Sequence, residues 1–238
     1  LIVGHDGEAH PCCLLDEYSL GNIQDHSMQE LWNSEKLQSL RKEVLTGNIK
    51  NCSKNITLKS CHKFYEFYET LIDKKIIQTK PIQKLDLRLN GKCNLKCIMC
   101  DVWKGENGKF DESEFWTEGP LKVFPHLKHI DLLGGEPFVQ ADTFRLIDEV
   151  SKVNKTCSWS FTTNGNWNFK GKIKKYFDKI TIDSITISMD AIFPMTYAKI
   201  RQGGDYQQAM QVIDDLVEYF KDREHKIKTK NLIYICIP

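Results

Sequence analysis

The sequence lacks a marked excess of charge, a long apolar run and a secretion signal. Its 238 residues carry 33 Lys and Arg against 32 Asp and Glu, a formal charge of +1, so nothing indicates binding to nucleic acid or to an anionic membrane. No apolar stretch approaches the ~20 residues of a membrane-spanning helix, and no signal peptide is evident. Solenoid repeats and low-complexity tracts are also missing. These absences predict a globular protein without a nucleic-acid or membrane partner.

Cysteine, in contrast, is abundant. Nine cysteines in a chain without a secretion signal predict a reducing, cytoplasmic location and metal ligation rather than a disulfide scaffold. The length fits one large or two small domains, and the 41% hydrophobic content suffices for a buried core. The sequence opens on Leu1 and stops at Pro238 directly after a strand-like run, which predicts a piece of a longer protein.

Three cysteines, Cys93, Cys97 and Cys100, fall within eight residues. Residues 85–90 alternate apolar and polar side chains and Gly91 follows, so the thiols are predicted to lie on a loop after a strand. Thiolates favour zinc, Cu(I) or iron–sulfur clusters, and three are one short of a closed site. The fourth position is then open to chemistry or filled by a distant Cys or His, as in a structural zinc site. Three unrelated buried thiols are the remaining alternative.

The C-x3-C-x2-C pattern on a loop after the first strand resembles the cluster motif of the radical S-adenosylmethionine (SAM) enzymes. Downstream, the segment 132–137 resembles that family's GGEP segment, which holds the amino group of SAM. The segments 161–165 and 187–190 stand where the third and fourth strands end, at the edge that contacts ribose and methionine in relatives. The resemblance implies these cofactor-binding residues: Gly134, Gly135, Glu136, Pro137, Met99, Asn164, Ser188, Asp190 and Arg201.

The same resemblance implies the cofactors and the chemistry. Cys93, Cys97 and Cys100 would bind three irons of a [4Fe–4S] cluster, and the fourth iron would take the amino and carboxylate groups of SAM. Reductive cleavage of SAM would then give methionine and a 5′-deoxyadenosyl radical, which abstracts hydrogen from a substrate. A flavodoxin or ferredoxin is the expected electron donor.

Individual side chains suit the roles that the resemblance gives them. Glu136 can accept from an ammonium group, and Asn164 and Ser188 offer neutral partners for ribose hydroxyls. Met99 stands where relatives often place an aromatic residue beside the adenine. Arg201 resembles a basic residue that meets the SAM carboxylate in some relatives. The alternative is that Asp190 and Arg201 form a surface ion pair.

Residues 1–78 resemble the SPASM domains, or the shortened twitch domains, that accompany many radical SAM enzymes. The resemblance rests on Gly7 before Cys12-Cys13, then Gly21-Asn22, the segment 31–34 and two later cysteines. It implies one auxiliary iron–sulfur cluster, with either Cys12 or Cys13 not acting as a ligand. Small buried thiols or a zinc site are the alternatives. The candidate ligands are Cys12, Cys13, Cys52 and Cys61.

The secondary-structure pattern predicts two units. Residues 1–78 should contain a hairpin at Asp6-Gly7, a helix that starts with a capping box at Ser27 and ends at Gly47, and a second helix after Cys61. After a linker at 72–82, strands near 84–90, 128–133, 157–162, 184–190 and 230–237 alternate with helices near 112–117, 140–153, 169–177 and 205–220. This order predicts a parallel sheet of right-handed βαβ units.

The predicted fold class is α/β. By resemblance, residues 79–238 form an incomplete (β/α)6-type parallel barrel, the radical SAM core, preceded by the small α+β domain. Leu85, Leu87 and Leu89 alternate with polar residues, so one face of the sheet should be polar. A sheet curled around a cofactor satisfies that pattern, and so does a sheet with one solvated face. Cys157 and Cys236 are predicted core residues, and His62 is a candidate ligand.

Two classes of function are consistent with these observations. The first is a radical SAM enzyme, with a peptide or protein as substrate because such substrates are common among relatives with SPASM domains, or with a sugar or nucleotide as the variant within the class. The second is a non-enzymatic iron–sulfur or zinc module for electron transfer or scaffolding. A scaffold has no need for a GGEP segment at the end of a strand, which favours the enzyme.

Overall fold

A computed structural model describes residues 1–13, 15, 17–48, 50–51, 73–105, 107–221, 223 and 233–236. The predicted second helix of the first unit, together with Cys52, Cys61 and His62, lies outside these residues, as does the side chain of Cys236. Within the described ranges, none of the helices is long and apolar enough to cross a lipid bilayer.

Ten strands are present in the described ranges. They are β1 (Ile2–Val3), β2 (Glu8–His10), β3 (Gly21–Asn22), β4 (Lys84–Leu87), β5 (Lys96–Cys97), β6 (His129–Leu132), β7 (Ser158–Thr163), β8 (Thr181–Ser188), β9 (Arg201–Gln202) and β10 (Ile233–Cys236). Eight form one sheet in the order β10-β8-β7-β6-β4-β1-β2-β3, and β5 pairs with β9 separately. The strands from β10 to β1 run parallel, which confirms the predicted α/β class. The edges β3 and β10 do not pair with each other in the part that the structure describes, so the sheet is open.

The helices follow the predicted alternation, with two departures. They are α1 (Met28–Trp32), α2 (Glu35–Thr46), α3 (Phe115–Glu118), α4 (Ala141–Val153), α5 (Lys172–Lys179), α6 (Pro194–Ile200) and α7 (Tyr206–Phe220). Helix α6 was not predicted. The capping box at Ser27 is present, but the helix that it starts ends early. Ser34 accepts a hydrogen bond from Leu37 N–H and begins α2 as a second N-cap, and Gly47 ends α2 with φ 70°.

The sheet has one apolar and one polar face, as the alternation predicted. Leu85, Leu87, Ile130, Leu132, Trp159, Phe161, Ile185 and Ile187 belong to one buried cluster with residues of α4 and α7. On the other face, Asp86, Asp131, Ser160 and Ser184 lie side by side in register across four strands. Strand β7 departs from the pattern because its serines Ser158 and Ser160 are buried as well.

The N-terminal strands extend the same sheet. Strand β1 lies parallel to β4, with Ile2 opposite Asp86 and Val3 opposite Leu87, and the N–H of Arg88 donates to Val3 O at 3.0 Å. The hairpin predicted at Asp6-Gly7 joins β1 to β2. A domain boundary near residue 79 stays a prediction, and these backbone hydrogen bonds cross it.

Candidate functional site

The cysteine loop follows β4, as predicted, and its backbone is fixed at its start. The side chain of Asn90 accepts from Lys92 N–H at 2.9 Å and donates to Asp142 at the start of α4. Gly91 N–H donates to Asn107 Oδ1 at 2.5 Å. A Cβ on Gly91 would lie 2.2 Å from Val102 O, so only glycine fits this turn.

The GGEP segment braces the cysteine loop through backbone hydrogen bonds. Gly135 N–H donates to Asn90 O at 3.3 Å, and Glu136 N–H donates to Lys92 O at 2.9 Å. The buried amide of Gln140 donates to the same two carbonyl oxygens, at 3.1 and 2.9 Å. A Cβ on Gly135 would lie 2.2 Å from Lys92 O. The absence of side chains at Gly134 and Gly135 therefore allows the two main chains to lie in contact. Gln140 is a positioning residue that the motif alone did not reveal.

The carboxylate of Glu136 joins the ends of β6 and β7. It is fully buried and accepts from Thr163 Oγ1 at 2.7 Å, from Asn164 N–H at 2.7 Å and from Phe138 N–H at 3.2 Å. Burial raises the pKa of this carboxyl to about 7, against the opposing effect of these hydrogen bonds. The contact of Glu136 with the amino group of SAM stays a prediction. Within the fold, the carboxylate has the three partners given above.

Glu136→Gln tests this burial through the pH dependence of stability. The folded pKa lies above the ordinary value of 4.5, so the contribution to stability is complete below about pH 4.5 and is lost as the pH rises towards 7. The free energy of unfolding of the wild type should therefore fall over this range by a few kcal/mol, roughly 1.4 per unit of pKa shift. Urea unfolding at several pH values should show a flatter profile for Glu136→Gln. An unchanged profile would contradict the assignment.

The three loop thiols are half-buried, and two of them already receive hydrogen bonds. Leu95 N–H donates to Cys93 Sγ at 3.4 Å, and Asn164 Nδ2 donates to the same sulfur at 3.7 Å. Arg201 Nη1 donates to Cys97 Sγ at 3.7 Å. Burial raises the pKa of both thiols, and Arg201 opposes this for Cys97. Hydrogen-bond donors near a sulfur stabilise the thiolate, which is the form that ligates a metal.

Among the residues that the structure describes, no three His, Cys, Asp or Glu side chains are arranged to hold a single metal ion. In a cubane each thiolate binds its own iron, so the thiolates need not converge on one point as the ligands of a zinc ion do. The donor set on the loop and the hydrogen bonds to its sulfurs therefore fit a [4Fe–4S] cluster.

Arg201 and Asp190 form an ion pair, but a buried one rather than the surface pair of the alternative interpretation. Arg201 Nη2 lies 2.6 Å from Asp190 Oδ2, and their side chains are 11% and 10% exposed. Asp190 follows β8 with φ 60°, the left-handed region that non-glycine residues seldom adopt. The buried Nε of Arg201 has no hydrogen-bond partner among the described residues, so it is a donor left for an acceptor such as a carboxylate.

Three asparagines connect the loop to the end of β7. Asn164 Nδ2 also donates to Asn94 Oδ1 at 2.9 Å, and Asn94 Nδ2 donates to Asn166 O at 2.6 Å. Asn166 in turn receives the N–H of Asp205 at 2.6 Å, at the N-cap of α7. Asn94 and Asn166 were not predicted, although their place beside a cysteine and beside Asn164-Gly165 was a signal.

The other predicted residues take varied positions. Met99 is 58% exposed on the loop, Pro137 is buried beside Glu136, and Ser188 ends β8 in a half-buried position. Cys12 is half-buried and Cys13 is exposed, both on the turn after β2. Cys157 is buried, as predicted for a core residue.

A family model described as the radical SAM superfamily matches residues 87–235. This chain belongs to the radical SAM superfamily. A second family model, SPASM, described as an iron–sulfur cluster-binding domain, matches residues 1–62. Radical SAM proteins use a [4Fe–4S] cluster and SAM, so this chain is part of an enzyme with these cofactors rather than of a scaffold.

Curated relatives of this radical SAM chain are named for one reaction. This chain is 28% identical over 147 residues to a GTP 3′,8-cyclase of Petrotoga mobilis, and the aligned region covers 58% of this chain and 44% of the relative. It is 29% identical over 147 residues to a probable GTP 3′,8-cyclase of Methanococcus maripaludis, with 58% and 47% covered. The chain thus spans about half the length of the curated relatives that it matches.

Solved structures that resemble this chain include two proteins with bound peptides. Native anSMEcpe with bound AdoMet and Cp18Cys peptide is 19% identical, with a TM-score of 0.47 over 66% of this chain and 43% of that one. Streptococcus suis SuiB bound to precursor peptide SuiA is 17% identical, with a TM-score of 0.42 over 77% and 44%. At these TM-scores the likenesses add nothing to the assignment.

Proposed function

We propose that Cys93, Cys97 and Cys100 hold the SAM-binding [4Fe–4S] cluster, and that the enzyme abstracts hydrogen from a small anionic substrate of the nucleotide type. One observation carries the cluster assignment: the GGEP segment, the end of β7 and the β9 strand all make hydrogen bonds to the cysteine loop. The GGEP segment binds the carbonyl oxygens of Asn90 and Lys92, Asn164 reaches the Cys93 sulfur and Arg201 reaches the Cys97 sulfur, so three separate parts of the chain hold one loop.

When bound, the cluster and SAM supply reductive cleavage of SAM and the capacity to abstract hydrogen. The side chains around the loop supply position and charge. The Nε of Arg201 is the donor available to the carboxylate of SAM. Gly135 lets the main chain after β6 lie against the loop, which keeps the cluster and the bound SAM in a fixed relation.

The position of Arg88 supports the proposal of an anionic substrate. Its neighbours Leu87 and Leu89 are buried on the apolar face, so its own side chain lies on the polar face, half-buried. Its Cα and Cβ would lie within 3.3 Å of a Cβ added to Gly134, which places it beside the GGEP segment. No ion pair or side-chain hydrogen bond of Arg88 is present in the described part of the chain. A guanidinium in this position favours a phosphate or a carboxylate as partner.

The names of the curated relatives support a nucleotide as that anion. The SPASM match over residues 1–62 favours the second candidate, the peptide or protein substrate that the resemblance to SPASM-containing relatives implied. A flavodoxin or ferredoxin remains the proposed electron donor.

The full-length protein decides between these candidates. After anaerobic reconstitution with iron and sulfide, and with a chemical reductant and SAM present, 5′-deoxyadenosine should form. Its formation should be faster with GTP or another nucleoside triphosphate, and deuterium from a deuterated nucleotide should enter it. Deuterium from a peptide instead would favour the second candidate. A protein that holds zinc and forms no 5′-deoxyadenosine would contradict the assignment of an enzyme.

Arg88→Met tests the substrate part of the proposal. Loss of a charge-assisted hydrogen bond of about 1.5–3 kcal/mol should raise the KM for the nucleotide roughly 10- to 100-fold. Lys84→Met is the matched control, because Lys84 is a cation on β4, four residues before Arg88 and on the same face of the sheet, and its Nζ lies 3.7 Å from Asp86 Oδ1. An unchanged KM in Arg88→Met, or an equal rise in the control, would contradict the role of Arg88.

A further inference from the structure

We infer that Arg201, oriented by Asp190, donates a hydrogen bond to the Cys97 sulfur and thereby raises the reduction potential of the [4Fe–4S] cluster. The inference rests on the proposed assignment of the cluster to the cysteine loop. It gives Arg201 a task toward the cluster itself, in addition to the predicted contact with SAM.

The backbone places the two side chains together. Strands β5 and β9 pair antiparallel, with Cys97 directly opposite Arg201, and the N–H of Ile98 donates to Ile200 O at 2.9 Å. Directly opposed residues of an antiparallel pair project their side chains from the same face. The distance of 3.7 Å from Arg201 Nη1 to Cys97 Sγ follows from this register, so the contact is built into the fold.

Asp190 forms an ion pair with the guanidinium. Its carboxylate lies 2.6 Å from Nη2, while Nη1 donates to the sulfur and Nε is left for a third partner. Asp190 keeps φ 60° at the end of β8, a conformation that persists only where surrounding contacts support it. The ion pair with Arg201 is one such contact.

The effect on the cluster follows from charge. Reduction adds one negative charge, and a hydrogen bond from a cation to a ligating sulfur stabilises the reduced form more than the oxidised form. The Arg201 side chain is 11% exposed, so solvent screens this interaction little. Asn164 donates to Cys93 at the same distance but is neutral, so its effect on the potential should be smaller.

The experiment is a redox titration of the reconstituted full-length protein in the absence of SAM, with EPR as the readout. The EPR signal of the SAM-binding cluster is identified beforehand, in a separate sample, as the signal that changes when SAM is added. Arg201→Gln should lower the equilibrium constant for one-electron reduction of the cluster at least tenfold, which shifts the reduction potential by about 59 mV to a more negative value. Arg201→Lys keeps a charge but not the fork, so it should shift the potential in the same direction by less. If Arg201→Gln does not retain a cluster, Arg201→Lys decides alone.

Lys96→Gln is the matched control. It removes a cation next to Cys97 in the chain, but Lys96 is exposed and its Nζ lies over the ring of Trp103, so the potential should stay at the wild-type value. A purely structural role of Arg201 would lower the cluster content without changing the potential of the clusters that remain. Unchanged potentials in both Arg201 variants, or an equal shift in the control, would overturn the inference. A wild type without a SAM-responsive signal would instead contradict the cluster assignment.

Discussion

Replacement of Cys93, Cys97 or Cys100 by Ala, one at a time, should abolish 5′-deoxyadenosine formation. Each thiolate binds its own iron, so two remaining cysteines cannot hold a cubane that also leaves one iron open for SAM. The hydrogen bonds at Cys93 and Cys97 would lose their acceptor sulfur, and no other thiol is available from the loop. The SAM-responsive EPR signal should disappear together with the activity.

Cys157→Ala is the matched control for these variants. Cys157 is a buried thiol next to β7 in the core, so its loss removes a cysteine without touching the loop. The cavity should lower the free energy of unfolding by about 1 kcal/mol and leave the EPR signal intact. Full activity in any of the three loop variants would contradict the assignment of the cluster.

The sequence predicted the loop and its cofactor because both depend on local information. The strand before the loop has a strict two-residue period, Gly91 marks the turn, and the cysteine spacing is short. The capping box at Ser27 was predicted for the same reason. A local motif needs no knowledge of distant contacts, and such motifs are the most predictable features of this chain.

The contacts around the loop could not be predicted in this way. The pairing of Cys97 with Arg201 joins residues 104 positions apart through strands of two residues, which are too short for any periodicity. The carboxylate of Glu136 fits an ammonium group by its chemistry alone, and only the fold shows its three internal partners. Strand β1 joins the sheet by the same kind of long-range pairing. Tertiary contacts of this kind override what residue types indicate.

Gly135→Ala should produce the second large loss, without touching any ligand. The new Cβ would lie 2.2 Å from Lys92 O, so the two main chains must separate and the hydrogen bond from Glu136 N–H to Lys92 O, now 2.9 Å, must lengthen or break. Overpacking of this kind costs about 1–3 kcal/mol, and an unmade buried hydrogen bond costs about 1–3 kcal/mol more. A misplacement of about 1 Å near a reacting group can lower the rate roughly 100-fold.

The measurements for Gly135→Ala are urea unfolding and the rate of 5′-deoxyadenosine formation. Gly47→Ala is the control, since a Cβ there meets no heavy atom of the described residues within 4 Å, and the change introduces the cost of the left-handed backbone at φ 70°, about 1–2 kcal/mol. It should keep the full rate. Since Gly135 has no side chain to contribute, a lowered rate in its variant must arise from the spacing between the two main chains. A wild-type rate with a normal unfolding curve would show that this spacing does not control the site.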